Sequence, residues 1–170
     1  MKRSGRTLKQ RLYGIKHLPQ RLRRARHFRG HGVHSPYVYS IVRRVFMCSK
    51  LLAEDHSLYD ALMELGVAKR RAVQLNNLVE HCQYSSWTID ELLESDMIIA
   101  TLEVDAAKLN EYAQYVREHR ATLCIMSPYD SAERWQACSA IVAEHASTTI
   151  DNRAYLLVFN NHLPKQRFVL

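Results

Sequence analysis

The sequence predicts an α/β fold, with an open, mostly parallel sheet, antiparallel strands at the C-terminal end, and N-terminal helices and a basic arm in front. Three observations carry this reading. Beyond residue 86, short apolar runs alternate with amphipathic helical stretches, the pattern of strand–helix–strand units. The runs at 96–101 and 121–126 lack polar alternation, as parallel strands covered on both faces do. Charge is segregated: residues 1–53 hold 14 Lys or Arg and no acid, the first acid being Glu54, so a segment of +14 precedes a body of −7. The division that follows is 1–33 as basic arm and hinge, and 34–170 as helical lead-in plus α/β domain.

In the arm, Leu8, Leu12, Ile15, Leu18 and Leu22 recur at helical spacing between basic residues, which fits a basic amphipathic helix. Gly14 and Pro19 weaken that helix, and a solvated tail fits equally well. Gly30-His31-Gly32-Val33-His34 reads as a hinge. Ser35 then suits an N-cap and Pro36 a first helical residue. Val38, Ile41, Val42, Val45 and Phe46 line one face of the helix that starts there. A second helix is expected over 57–65, stopping near Gly66, and a third over 69–83 with Val73, Leu75, Leu78 and Val79 as its apolar residues. A short strand over 86–89 precedes the two apolar strands, and a helix over 105–119 lies between those two. Asp130 is expected to cap the next helix, with Glu133 completing a capping box, and Trp135, Cys138, Ile141 and Val142 facing its core. Three β segments, 147–150, 154–160 and 167–170, close the chain.

Hydrophobic residues at 47% suit a globular core. Cys48, Cys82, Cys124 and Cys138 form no CxxC pair, so buried free thiols in a reducing cytoplasm are expected, with no zinc or disulfide framework. No apolar run approaches the ~18 residues of a membrane span, and no long apolar segment follows the basic start as in a secretory signal. The Arg-rich, acid-free start also matches the composition of an organelle transit peptide.

Arg21, Arg23, Arg24, Arg26 and Arg29 form the densest charge cluster. Guanidinium forks donate paired hydrogen bonds to phosphate, and Tyr13, Phe28, Tyr37 and Tyr39 are aromatic groups that stack on bases. Nucleic acid or another polyanion is therefore a candidate partner of residues 1–30. A solubilising tail, or an arm folded on the acidic body of its own or a neighbouring subunit in a homo-oligomer, are the alternatives. His31 and His34, with His27 nearby, have a spacing that serves a metal only on one helix face. Two glycines interrupt them and no Cys or carboxylate completes a set, so a polar hinge is the expectation. Asp90, Glu103 and Asp105 fall near carboxyl ends of strands, where open α/β sheets bind ligands. They read either as ribose contacts or as helix caps and turn acids, with Asp105 expected as a cap.

Several of these segments resemble a known family. Gly30-His31-Gly32-Val33-His34-Ser35-Pro36-Tyr37-Val38-Tyr39 resembles the N-terminal motif of a group of bacterial (Bacteroidetes-type) proteins of the class I S-adenosylmethionine-dependent methyltransferase-like family. Trp135-Gln136-Ala137-Cys138, Thr148-Thr149-Ile150-Asp151, Tyr155–Phe159 and Leu163-Pro164-Lys165-Gln166-Arg167-Phe168 resemble that family's last helix and final strands. The resemblance implies a Rossmann-like domain, and S-adenosylmethionine as cofactor only if the family activity is retained. The motif Gly30, His31, Gly32, His34, Ser35 and Pro36 then counts as a family trait of unassigned role. The middle of the chain departs from the family. Its members hold the cofactor with a Gly-rich turn after the first strand, where glycine lets the backbone come close. The five glycines here are 5, 14, 30, 32 and 66, so no strand of the α/β body is followed by such a turn. Glu64-Leu65-Gly66 resembles its start, yet Val67-Ala68-Lys69-Arg70 follows, and a helix C-terminus is the reading. Ser127-Pro128-Tyr129 resembles the loop with which amino-methyltransferases grip their target amine, but one proline is missing, and a strand-to-helix turn is the reading. The sequence thus predicts a shortened relative that has lost cofactor binding and catalysis and works as a binding or scaffolding module. It names no catalytic, cofactor-binding or metal residue. Nucleic-acid binding through the arm is the alternative, and an active methyltransferase a further one.

Overall fold

The computed structural model describes residues 34–170. The arginine cluster and the hinge residues Gly30, His31 and Gly32 lie outside them. Ser35 opens helix α1 (Pro36–Ile41), its hydroxyl accepting the Val38 amide at 3.4 Å with Pro36 in the first turn. The backbone then widens into a π-helical turn (Val42–Phe46) closed by Met47 N–H to the Val42 carbonyl at 3.0 Å. Val38, Ile41, Val42, Val45 and Phe46 are all buried, as their spacing predicts. Helix α2 (Ser57–Glu64) ends where Gly66 adopts φ 75°, and its N–H caps the Met63 carbonyl. Glu64-Leu65-Gly66 is therefore a helix terminus, in the left-handed conformation that glycine takes without a Cβ penalty.

Helix α3 (Lys69–Cys82) buries Leu75 and Leu78, and also Gln74, Asn76 and Asn77. These amides are staples. Asn77 donates to the Lys50 carbonyl at 2.9 Å and accepts from the Leu52 N–H at 3.0 Å. Asn76 does the same for the Asp55 carbonyl and the Tyr59 N–H, both at 3.0 Å. They satisfy the main chain of the irregular 47–56 segment, which otherwise has no ladder to join.

The sheet runs β1 (Trp87–Ile89), β2 (Met97–Ala100), β3 (Thr122–Met126), β4 (Thr149–Asp151), β5 (Tyr155–Val158) and β6 (Arg167–Val169), in spatial order β1-β2-β3-β5-β4-β6. β1–β2, β2–β3 and β4–β6 pair parallel, while β5 is antiparallel between β3 and β4. This is the Rossmann-like, mostly parallel sheet with antiparallel C-terminal pairing that the sequence predicts. β1 and β2 are joined by residues 90–96 alone. A 3₁₀ turn (Ala106–Lys108) and helix α4 (Leu109–Glu118) lie between β2 and β3, and helix α5 (Ala132–Glu144) between β3 and β4.

Strand alternation sends Met97, Ile99, Cys124, Met126, Tyr155 and Leu157 to one face, under α1, the π turn, α2 and α3. Ile98, Ala100, Leu123, Ile125, Leu156 and Val158 face α4 and α5. Each fully buried Ile or Leu contributes about 1.5–3 kcal/mol. The helical lead-in is thus one complete layer of a three-layer sandwich rather than a preface to the domain. Two local expectations are corrected. The cap of α5 is Ser131, whose hydroxyl accepts the Arg134 N–H at 3.1 Å, and not Asp130 with Glu133. Of the four cysteines, Cys124 and Cys138 are buried but Cys48 and Cys82 only half so; all four are free thiols. No helix among the described residues is long and apolar enough to cross a membrane.

Candidate functional site

β1, β2, β3 and β4 end at the same edge of the sheet, the edge at which open α/β folds take ligands. Asp90 stands there, directly after β1, with φ 59°. Its carboxylate accepts the Thr101 N–H at 2.6 Å and the Thr101 hydroxyl at 2.5 Å, and its carbonyl accepts the Tyr112 hydroxyl at 2.5 Å. The residue after the first strand therefore clasps β1 to β2 and α4. Asp105 opens the 3₁₀ turn, but its side chain makes no capping bond, so the expected cap is present in position only. Glu103 is exposed, and its N–H donates to the Thr101 hydroxyl at 3.2 Å.

Ser127-Pro128-Tyr129 forms the strand-to-helix turn. Ser127 adopts φ 48°, donates its N–H to the Ala154 carbonyl at 2.8 Å and accepts the Asp130 N–H at 3.0 Å. The Tyr129 ring stacks on Trp135 at 4.5 Å, and its hydroxyl donates to the Asp151 carboxylate. Next to it, Arg71 donates to Gln74 Oε1 at 2.8 Å and Asn152 Oδ1 at 3.4 Å. The buried Tyr155 hydroxyl donates to the same Gln74 oxygen at 3.2 Å. Burial holds the Tyr155 phenol far above its ordinary pKa, so it stays a neutral donor.

Between β2 and β3 the edge is filled by Arg134, which is only 4% exposed. Nε donates to the Met126 carbonyl at 3.1 Å, Nη1 to Val104 at 2.7 Å, and Nη2 to Thr101 at 2.7 Å and Ala100 at 3.4 Å. Burial lowers its pKa, yet a guanidinium stays protonated in proteins. One side chain thus satisfies four strand-end and loop carbonyls that would each cost about 1–3 kcal/mol if left buried and unpaired.

These residues do not fit an adenosyl cofactor bound in the family manner. Such a ligand needs close backbone approach after β1 and carboxylate oxygens to spare. Here a non-glycine residue occupies that turn, both Asp90 oxygens are engaged on Thr101, and Arg134 fills the neighbouring crevice.

Of the motif residues, His34 is exposed ahead of α1, while Ser35 and Pro36 act as helix cap and first turn. Among the described residues no cluster of three His, Cys, Asp or Glu is placed to hold a metal. Sequence reasoning missed Arg134, because nothing local separates it from a surface arginine in an amphipathic helix. It missed the Tyr129–Asp151 pair, whose members are separated along the chain by α5 and most of β4. It also missed a basic cleft at the opposite edge, lined by Arg117, Arg120, His145 and His162.

Comparison of the chain with known protein families, with curated proteins and with solved structures finds no match.

Proposed function

We propose that this chain is a non-catalytic, methyltransferase-like binding or scaffolding module that has given up cofactor binding. The observation that carries the reading is Arg134, bonded to four carbonyls at the edge where the cofactor would sit. The sequence supports it independently, since no glycine follows Gly66. The segments 148–151 and 155–159, which carry part of the resemblance, hold β4 and β5. With this reading goes a cytoplasmic bacterial protein. Isothermal titration of the full chain with S-adenosylmethionine and S-adenosylhomocysteine tests it. No heat is expected. Saturable binding at micromolar concentration would overturn the proposal and leave an active methyltransferase as the better reading.

A second reading, binding of nucleic acid through residues 1–30, rests on the charge split of +14 against −7. It predicts affinity that falls steeply with salt as phosphate contacts release counterions. Unchanged affinity after deletion of residues 1–30 would sink it.

A further inference from the structure

The amino edge of the sheet opens into a cleft of about 350 Å³, within the size range of small-ligand pockets. Three segments wall it. Arg117 and Arg120 come from the end of α4 and the turn into β3, His145 and Ser147 from the α5–β4 turn, and Asn160 and His162 from the segment after β5. All 17 carboxylates of the chain lie beyond residue 53, yet none lines this cleft.

We propose that the cleft binds a phosphate group, carried either by a free phosphate ester or by a nucleic-acid backbone. Arg117 and Arg120 are exposed, and neither guanidinium hydrogen-bonds to another described residue. They differ in this from Arg134 and Arg71, whose guanidinia are engaged within the fold. Helix termini explain only part of the cluster. α4 and α5 both end here, and each C-terminus carries roughly half a negative charge. Arg117, Arg120 and the neighbouring Lys165 carry three full positive charges, more than that demand. Glu118 and Glu144 are nearby, but Glu118 bonds Gln114 at 3.0 Å and neither lines the cleft. His162 stands on no helix at all. Arg120 holds φ 56° at the end of α4, where glycine is the residue that fits without strain.

The walls are already set in place. His145 Nε2 donates to the Phe159 carbonyl at 2.7 Å, which fixes its tautomer. Asn160 donates to the Ala121 carbonyl at 2.7 Å, tying the segment after β5 to the start of β3. Ser147 hydrogen-bonds Asn161 Oδ1 at 2.7 Å. Lys165 reaches the Ala143 carbonyl at 2.6 Å, across the end of α5. Burial lowers the His145 pKa, the bond to the Phe159 carbonyl opposes this, and the positive charges of Arg117 and Lys165 add to the lowering. Two guanidinium forks over a rigid polar floor are the chemistry that recognises phosphate. This inference rests neither on the family resemblance nor on residues 1–33.

The test is titration of the full chain with pyrophosphate, by calorimetry and by NMR of the His162 ring. A saturable shift of His162 is expected, with affinity reduced at least about tenfold in R117A/R120A. R70A/K108A removes the same charge from exposed positions elsewhere and should bind within about twofold of the parent. Equal losses in both double variants, or binding retained in R117A/R120A, would overturn the proposal. A parallel titration with a single strand of about 12 nucleotides separates the sources. Weakening by R117A/R120A assigns the site to nucleic-acid backbone, and unchanged strand binding alongside lost pyrophosphate assigns it to a free phosphate ester.

Discussion

The two edges of the sheet are built in opposite ways. At the carboxyl edge, polar side chains turn inward and bond to one another or to strand ends: Asp90 to Thr101, Tyr129 to Asp151, Arg134 to four carbonyls. At the amino edge, the floor is bonded, but the Arg117 and Arg120 guanidinium groups make no hydrogen bond among the described residues. An arginine spent on main-chain carbonyls is part of the fold, and one left facing solvent in a carboxylate-free cleft is available to a ligand. The same residue type thus has a structural role at one edge and a recognition role at the other. At the edge usual for ligands in this architecture, Arg134 bonds across the ends of β2 and β3.

The largest effect that would break the comparison is at Arg134. Arg134→Gln strips most of the donors from four buried carbonyls and should cost about 3 kcal/mol or more, read by urea denaturation. A loss below about 1 kcal/mol would mean that the guanidinium is not what holds that edge together.

Asp96 offers an intermediate effect at the amino edge. Burial raises its pKa, but hydrogen bonds to one carboxylate oxygen from the Ser85 hydroxyl and N–H, both at 2.7 Å, and from Ser86 outweigh that and hold the group below its ordinary value. A carboxylate with a depressed folded pKa contributes stability that is full above the unfolded value, about 3.9, and is lost as pH falls through the folded one. Asp96→Asn should therefore cost about 1–2 kcal/mol at pH 7 and flatten the acid limb of stability against pH. An acid limb identical to the parent's would remove Asp96 from the account.

The smallest effect sharpens the contrast. Arg117→Ala with Arg120→Ala should change folding stability by no more than about 0.5 kcal/mol, as exposed substitutions do. A larger loss would make these arginines structural and erase the difference between the edges.

Much of the fold was legible in the sequence because local pattern and tertiary demand agree. Ser35-Pro36 caps and starts α1, Gly66 ends α2, and the unbroken apolar runs are central strands. The cap of α5 differs from the expected Asp130. Asp130 and Ser131 both suit a cap, and the helix begins after Ser131 because Asp130 is still in the turn closed on Ser127. Gln74, Asn76 and Asn77 are polar positions of α3, yet they are buried: Asn76 and Asn77 bond the main chain between Lys50 and Tyr59, and Gln74 donates to the Phe46 carbonyl. The site was less legible than the fold. Its key contacts join residues far apart in the chain, and a single side chain carries no mark of which carbonyl it will meet.

By itself the sequence determined the periods of its strands and helices, the charge split between residues 1–53 and the rest, and the lack of any glycine after the first strand. Those are properties of neighbours along the chain, where rotamer sterics, backbone freedom and hydrophobic alternation act. Only the tertiary structure decided that residues 34–82 form a full layer over the sheet, that Arg134 bonds across the ends of β2 and β3, and that Arg117, Arg120, His145 and His162 share a cleft. These outcomes depend on which distant backbone polar groups burial leaves without water, and that is settled only when the layers pack.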